Sequence, residues 1–510
     1  MNNTNKVIVN TGVSYLALGL NMVFGLISVR LILQALGEES YGIYVIVGGI
    51  VAMLDILNSN MSNTSMRYLA YSLGSKDKND ILVTFNSTVV IHYLIGLLTI
   101  AILEVGGWIM FEYIVNIPEG RMGEAKIIYQ FMVVTTFITV ISVPYDAVTN
   151  AHEKIWMLSV FDVMASVLKL GVAIALIYYG GNRLIFYGFL LMALQVLMRI
   201  VKVTYARRNF SECRKRMRNM VNKNKIKEIL SFTGWNLFGS IAALGAGQLR
   251  SIIVNYFFGV RLNAAQGVSS QVSHPLNQIV VSMTRAINPQ IMKSEGGGDH
   301  QRMKYIVAIG AKYSTFLMAL FGIPVLIEAP FLLGVWLDKV PEYAVIFVQF
   351  SIVGMLMEKL TFQLNHAVSA VGNIRGLQFF SAVTNLLYLP VAWYLFNLGY
   401  SPVSIYWLFL VSLVLIAIVR LYFAKRIAGI EPLGYAKSAI IPVVVPMFLA
   451  TFMALALKRF IATGWTNLIV VVLFYCVCFV ALFWALGMDK AEHKRWKGII
   501  KQVTTKKSKI

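Results

Sequence analysis

Apolar stretches of membrane-crossing length recur along nearly the whole chain, separated by polar loops that are alternately rich and poor in Lys and Arg. A helix needs roughly 20 apolar residues to cross a hydrocarbon core of roughly 30 Å, and about fourteen stretches qualify. They lie near 13–34, 41–62, 84–108, 126–147, 157–179, 184–205, 231–257, 264–284, 305–327, 344–366, 377–398, 402–424, 437–457 and 466–486. In lipid each backbone amide must find its partner inside the protein, so the pattern predicts an all-α, polytopic membrane fold.

Composition reinforces this reading, because 58% hydrophobic residues and a mean hydropathy of +0.70 cannot be wrapped into a water-soluble body of 510 residues. Charge adds an orientation. With the N-terminus inside, the outer loops hold only Arg30, Arg121, Lys126, Arg183, Arg261, Lys339, Lys458 and Arg459. Lys169, Arg250, Lys312 and Lys359 fall within predicted spans, and the rest of the 45 basic residues fall on the inner side. The positive-inside rule then places both termini in the cytoplasm. The net charge of +22 is accounted for by topology, with anionic membrane lipids as its partner, and nucleic-acid binding is not expected. The first apolar run is of full-span length with no small-residue cleavage site, so no cleaved leader is expected.

The three cysteines, Cys213, Cys476 and Cys478, make neither a disulfide framework nor a zinc site. The chain also lacks G-x-x-x-x-G-K-[ST] and H-E-x-x-H, and Gly296-Gly297-Gly298 lacks the strand-turn-helix context of a nucleotide cradle. We therefore expect no cofactor, no metal and no catalytic residues. The protein reads as a non-enzyme.

Shifting the chain on itself by 222 positions pairs Gly12, Gly25, Gly37 and Gly74 with Gly234, Gly247, Gly259 and Gly296. The shift predicts an internal repeat of two parallel six-span lobes. The expected organisation is an N-terminal lobe over 1–205, a basic cytoplasmic linker over 206–228 and a C-terminal lobe over 229–426. An added helix pair over 427–488 and a basic tail over 489–510 complete it. Parallel repeats of this kind characteristically hold a substrate near the bilayer midplane and alternate its access.

Polar groups at membrane depth are the candidates for the pathway, because a charge facing hydrocarbon costs several kcal/mol. The second span carries Asp55, Asn58, Asn60 and Asn63 with Arg67 at its inner end; the Asn side chains suit either sugar hydroxyls or helix-to-helix bonds. Asp162 and Lys169 lie two turns apart on one face, as a structural ion pair or a cationic pathway. Arg250 follows Gly245 and Gly247, which allow close approach by a helix or ligand. Lys312 is placed to snorkel toward the interface. Glu358 and Lys359 point roughly 100° apart, so only one faces a cavity squarely. Glu104, Asp162 and His92 are candidates for proton or sodium coupling, although His92, like His274 and His366, suits an interhelical hydrogen bond equally well.

Arg30-Leu-Ile-Leu-Gln-Ala-Leu36-Gly37-Glu-Glu-Ser-Tyr41-Gly42-Ile-Tyr44 resembles the L-G-x-x-x-[YF]-G-x-Y signature of polysaccharide flippases, members of the multidrug/oligosaccharidyl-lipid/polysaccharide exporter superfamily. Leu54-Asp55-Ile-Leu-Asn-Ser-Asn, Met66-Arg67-Tyr-Leu-Ala, Val143-Pro144-Tyr-Asp-Ala, Ile287-Asn-Pro289-Gln-Ile and Gly296-Gly-Gly-Asp299 are similar to later segments of that family, in the same order. The resemblance implies two six-helix lobes and a cationic cavity. It implies transfer of undecaprenyl-pyrophosphate-linked oligosaccharide, such as an O-antigen, capsule or exopolysaccharide unit, to the periplasmic leaflet of the bacterial inner membrane. On this reading Arg30, Arg67, Lys169, Arg250 and Lys359 meet pyrophosphate and anionic sugars, Asp55, Asn58 and Asn63 line the cavity, and glycan-assembly enzymes are partners. Arg67 matches an arginine of the family pattern, whereas Arg250 stands where related sequences often carry an acidic or polar residue. Alternative readings are a cation-coupled multidrug exporter of the same superfamily, a peptidoglycan-precursor flippase, and a membrane glycan polymerase.

Overall fold

The computed structural model describes residues 3–53, 55–75, 77–114, 119–214, 221–337, 339–462, 464–490 and 492–494, with side chains for most of them. Among the described residues the chain is helical and contains no strand. In chain order the helices are α1 (Asn3–Met53), α2 (Asp55–Ser75), α3 (Lys78–Ile109), α4 (Met122–Ala151), α5 (Ile155–Tyr178), α6 (Arg183–Asn209), α7 (Lys223–Phe258) and α8 (Val260–Gly296). They continue as α9 (His300–Trp336), α10 (Ala344–Val371), α11 (Arg375–Asn397), α12 (Ser404–Ala428), the single turn α13 (Pro432–Tyr435), α14 (Ile441–Lys458) and α15 (Trp465–Leu482).

Twelve segments among the described residues are long and apolar enough to cross a membrane, and the chain is a multi-pass membrane protein. Two of the fourteen expected spans are absent from that set. The span at 41–62 falls on the stretch joining α1 to α2, where residue 54 and most neighbouring side chains lie outside the described residues. The span at 264–284 is helical, as part of α8, but its Ser, Gln, Asn and His content lowers its hydropathy below that of a lipid-facing helix.

The chain divides into two compact units, Met1–Ser240 with Arg285–Met303, and Ile241–Thr284 with Lys304–Ile510. This division runs through α7 and α8, where the sequence-based plan put its boundary in the 206–228 linker. The reason lies at the ends of those two helices, which pack on the first unit.

In the first unit α1 packs on α5, and α4 packs on α2, α3 and α6. Its cores gather Val47, Leu103 and Tyr129, and Ile32, Ala173 and Tyr187. Here α2 meets the last turns of α8 at glycines. A Cβ on Gly74 would overlap the carbonyl oxygen of Lys293, and one on Gly296 would overlap that of Tyr71. Both Tyr71 with Lys293 and Gly74 with Gly296 are pairs of the 222-residue shift, so the contact is reciprocal. Gly37 and Gly259, another such pair, share φ +77°, a left-handed conformation in which other residues are strained. The members of this pair thus share one local backbone conformation.

The turn from α4 to α5 is fastened to the same end of α8. Glu153, at φ 60° and buried, accepts hydrogen bonds from Lys293 Nζ at 3.0 Å and Gln290 Nε2 at 3.3 Å, while its backbone oxygen accepts one from Asn10 at 2.9 Å. Just outside the spans, His152 stacks on Phe210 with 4.3 Å between ring centroids and contacts the Glu212 carboxylate at 2.5 Å. Burial alone would raise the Glu212 carboxyl, but hydrogen bonds from His152, its own backbone amide and Ser211 hold it below the usual range. Burial also pushes the adjacent Cys213 thiol well up, which makes it inert.

In the second unit α12 packs on α10 and α11 around a core that includes Val254, Phe347, Ile352 and Tyr406. The added pair α14 and α15 rests on α9. Phe479 stacks on Phe316 at 5.0 Å, Tyr475 donates to the Ala319 carbonyl at 3.2 Å, and Lys458 reaches Glu328 at 3.0 Å. Lys312, expected to snorkel, is instead 4% exposed, bonded to Glu492 at 2.5 Å and to the Gly487 carbonyl at 2.9 Å. It ties the end of the helix pair to α9 because a buried ammonium needs acceptors that lipid does not offer.

Candidate functional site

One open cavity of about 180 Å³ lies wholly within the second unit. Its walls come from four helices: Arg250 of α7, Ser270 and Ser273 of α8, Ser351, Gly354, Met355 and Glu358 of α10, and Phe409 and Leu413 of α12. Spacing explains the assembly. Residues 351, 354, 355 and 358 form one stripe of α10, and 409 and 413 one stripe of α12. Gly354 brings the two stripes together, since a Cβ there would come within 2.9 Å of the Phe409 ring. Glu358 sits midway along α10, at the depth of the bilayer interior.

Three groups in this cavity keep hydrogen-bonding capacity. Arg250 lies over the rings of Tyr406 and Phe409, 5.2 and 4.9 Å from their centroids, and its Nε is buried with no hydrogen-bond partner. The ring faces stabilise the guanidinium without an anion. Ser273 Oγ is likewise buried and unbonded. Glu358 approaches Lys359 at 3.8 Å and Arg420 at 4.0 Å, both longer than a hydrogen bond. The remaining hydroxyls are engaged: Ser270 donates to the Gln266 carbonyl at 3.0 Å, and Ser351 pairs with Ser269 at 2.8 Å.

Behind the carboxylate the second unit holds an excess of positive charge. Lys359 is 5% exposed and lies 5.1 Å from the Phe362 ring centroid, which Arg420 also faces at 5.5 Å. Arg420 donates to Thr361 Oγ1 at 3.3 Å. The 100° separation of Glu358 and Lys359 resolves into two roles, with the carboxylate lining the cavity and the ammonium buried among aromatics.

The other sequence candidates lie elsewhere. Arg67 is buried between Tyr68 and Phe232, 4.4 Å from each ring centroid, under the first turns of α7. His92, 1% exposed, contacts the Thr88 carbonyl at 2.7 Å and Ser65 at 3.5 Å. Asn60 accepts from Ser240 at 2.9 Å, a helix-to-helix bond. Arg30, Asn63, Asp162 and Lys169 are exposed, and so is Glu104, which accepts from Gln130 at 3.2 Å. The charges that act on Asp162 are Lys202, Arg285 and Asp146 rather than Lys169. The side chains of Asp55 and Asn58 lie outside the described residues. Gly245 and Gly247 face open space: a Cβ on either would meet nothing within 4 Å among the described residues. Among the described residues no cluster of His, Cys, Asp or Glu is arranged to hold a metal.

Sequence reasoning did not single out Ser270, Ser273, Ser351, Phe409 or Arg420. Arg420 was within reach, since it falls inside the 402–424 span.

In fold the chain is similar to multidrug transporters. It superposes on MATE in the straight conformation with a TM-score of 0.70 at 12% identity, covering 84% of this chain and 97% of that one. For MATE in the bent conformation the values are 0.71, 12%, 86% and 97%. For a MOP superfamily transporter from Pyrococcus furiosus they are 0.69, 12%, 84% and 96%. No family model and no curated protein matches the sequence. The fold is therefore that of MATE transporters in the MOP superfamily.

Proposed function

We propose that the protein is a flippase that moves polyprenyl-pyrophosphate-linked oligosaccharide between the leaflets of the bacterial inner membrane by alternating access, without catalysing a reaction. The observation that carries this reading is the cavity of the second unit. It offers uncommitted polar groups at membrane depth, Arg250 Nε, Ser273 Oγ and the Glu358 carboxylate, with Lys359 and Arg420 as excess cations behind them. A hydrophilic head group crossing a low-dielectric region needs donors and acceptors of this kind.

The MATE relatives support transport in general, and the Pyrococcus furiosus relative is described by the reverse polarity of its binding pocket, suggesting a different function. Pocket chemistry rather than fold therefore guides the choice of substrate. The alternative, a cation-coupled multidrug exporter, draws on the same likeness. Purified protein in vesicles with a fluorescent lipid-linked oligosaccharide separates the two. Protein-dependent movement of the label between leaflets supports the flippase; extrusion of cationic dyes with no movement of the lipid-linked glycan would establish the exporter instead.

A further inference from the structure

We infer that the Arg250–Ser273–Glu358 cavity seats a single sugar ring of the cargo and not its pyrophosphate. The inference rests on the flippase reading for its choice of cargo, but its chemistry comes from the cavity itself. At about 180 Å³ the space equals about six waters at roughly 30 Å³ each, room for one ring and below the roughly 300 Å³ at which drug-sized pockets begin.

Its polar groups are of both signs and are not paired with each other. Among the described residues Arg250 makes no ion pair, and the carboxylate contacts of Glu358 go to Lys359 and Arg420. A pyrophosphate is acceptor-only. In this cavity it would meet Arg250 favourably but would lie against the Glu358 carboxylate, an acceptor set against an acceptor. A pyranose presents both functions at once. Its hydroxyls donate to the two oxygens of Glu358, its oxygens accept from the Arg250 guanidinium, and its C–H face meets Met355 and Leu413. The cavity therefore selects the glycan.

The test is saturation-transfer NMR on the full-length protein in nanodiscs, with methyl glucoside, methyl galactoside and methyl N-acetylglucosaminide as probes and inorganic pyrophosphate as competitor. At least one glycoside is expected to receive saturation, to lose affinity roughly tenfold or more in Glu358→Ala, and to be unaffected by pyrophosphate. Ser273→Cys supplies a readout independent of the Glu358 variant's folding: the bound glycoside should slow thiol labelling at that position. Absence of saturation for the whole panel, or displacement of the glycoside by pyrophosphate with Arg250-dependent binding of the anion, overturns the inference. If glycosides bind but vesicle assays show no movement of lipid-linked oligosaccharide, the flippase reading fails while the sugar seat stands; the opposite pair of results removes the seat and leaves the flippase.

Discussion

The two units differ in where polar groups at membrane depth stand: against other side chains in the first, along a cavity in the second. In the first, Arg67 is enclosed by Tyr68 and Phe232, His92 contacts the Thr88 carbonyl and Ser65, and Lys202 pairs with Asp146 at 2.8 Å. In the second, Arg250, Ser273 and Glu358 open into a cavity with capacity left over. Committed polar groups hold helices together; uncommitted ones are available to a ligand.

The contrast is most exposed to test at its two arginines and the pocket carboxylate. Arg250→Ala and Glu358→Ala are each expected to lower transport per folded molecule on the order of tenfold to a hundredfold, the equivalent of a charged hydrogen bond. Arg67→Met should do the reverse, costing about 1–2 kcal/mol of stability through its lost ring contacts while transport per folded molecule persists. Thermal unfolding alongside the vesicle assay reads both, and an exchange of the two phenotypes would break the contrast.

A second comparison sets a glycine of α8 against one of α7. Gly296→Ala places a methyl against the Tyr71 backbone and should destabilise by about 1–3 kcal/mol, whereas Gly245→Ala, in open space, should cost almost nothing. Glu153→Gln keeps the shape of the α4–α5 turn but loses the ion pair to Lys293, which is partly exposed; about 1 kcal/mol or less is expected, seen as faster proteolysis after α8.

The smallest effect concerns pH. Because Glu212 is held below the usual carboxylate range when folded, its contribution is fully present above the unfolded value and is lost as pH falls through the folded one. Glu212→Gln should flatten the acid side of the stability profile, and an unchanged profile would show that the His152 contact carries none of it.

Much of the scaffold was legible in the sequence because lipid imposes a simple code: length and hydropathy report spans, and four glycine pairs report a repeat whose geometry recurs at Gly37 and Gly259. The code weakens where a helix is polar, which is why α8 falls outside the twelve apolar spans although it is continuous. The site was legible only in part. Arg250 and the opposed directions of Glu358 and Lys359 follow from charge and helical angle. Ser273 does not, since a serine in a spanning helix ordinarily returns its hydroxyl to its own backbone, as Ser270 does, and only tertiary packing leaves Ser273 unbonded. Lys312 was misread because its partner, Glu492, lies 180 residues away in a segment that reads as a loose basic tail.

The reciprocal glycine contact between α2 and α8 has the grammar of a symmetric dimer interface written into one polypeptide: residue 74 touches 293, and residue 71 touches 296. Because both halves of the contact lie in one polypeptide, its two positions can change one at a time, yet each faces the other's backbone. Neither glycine can grow a side chain unless the helix opposite recedes, so a change at one position constrains what the other can become.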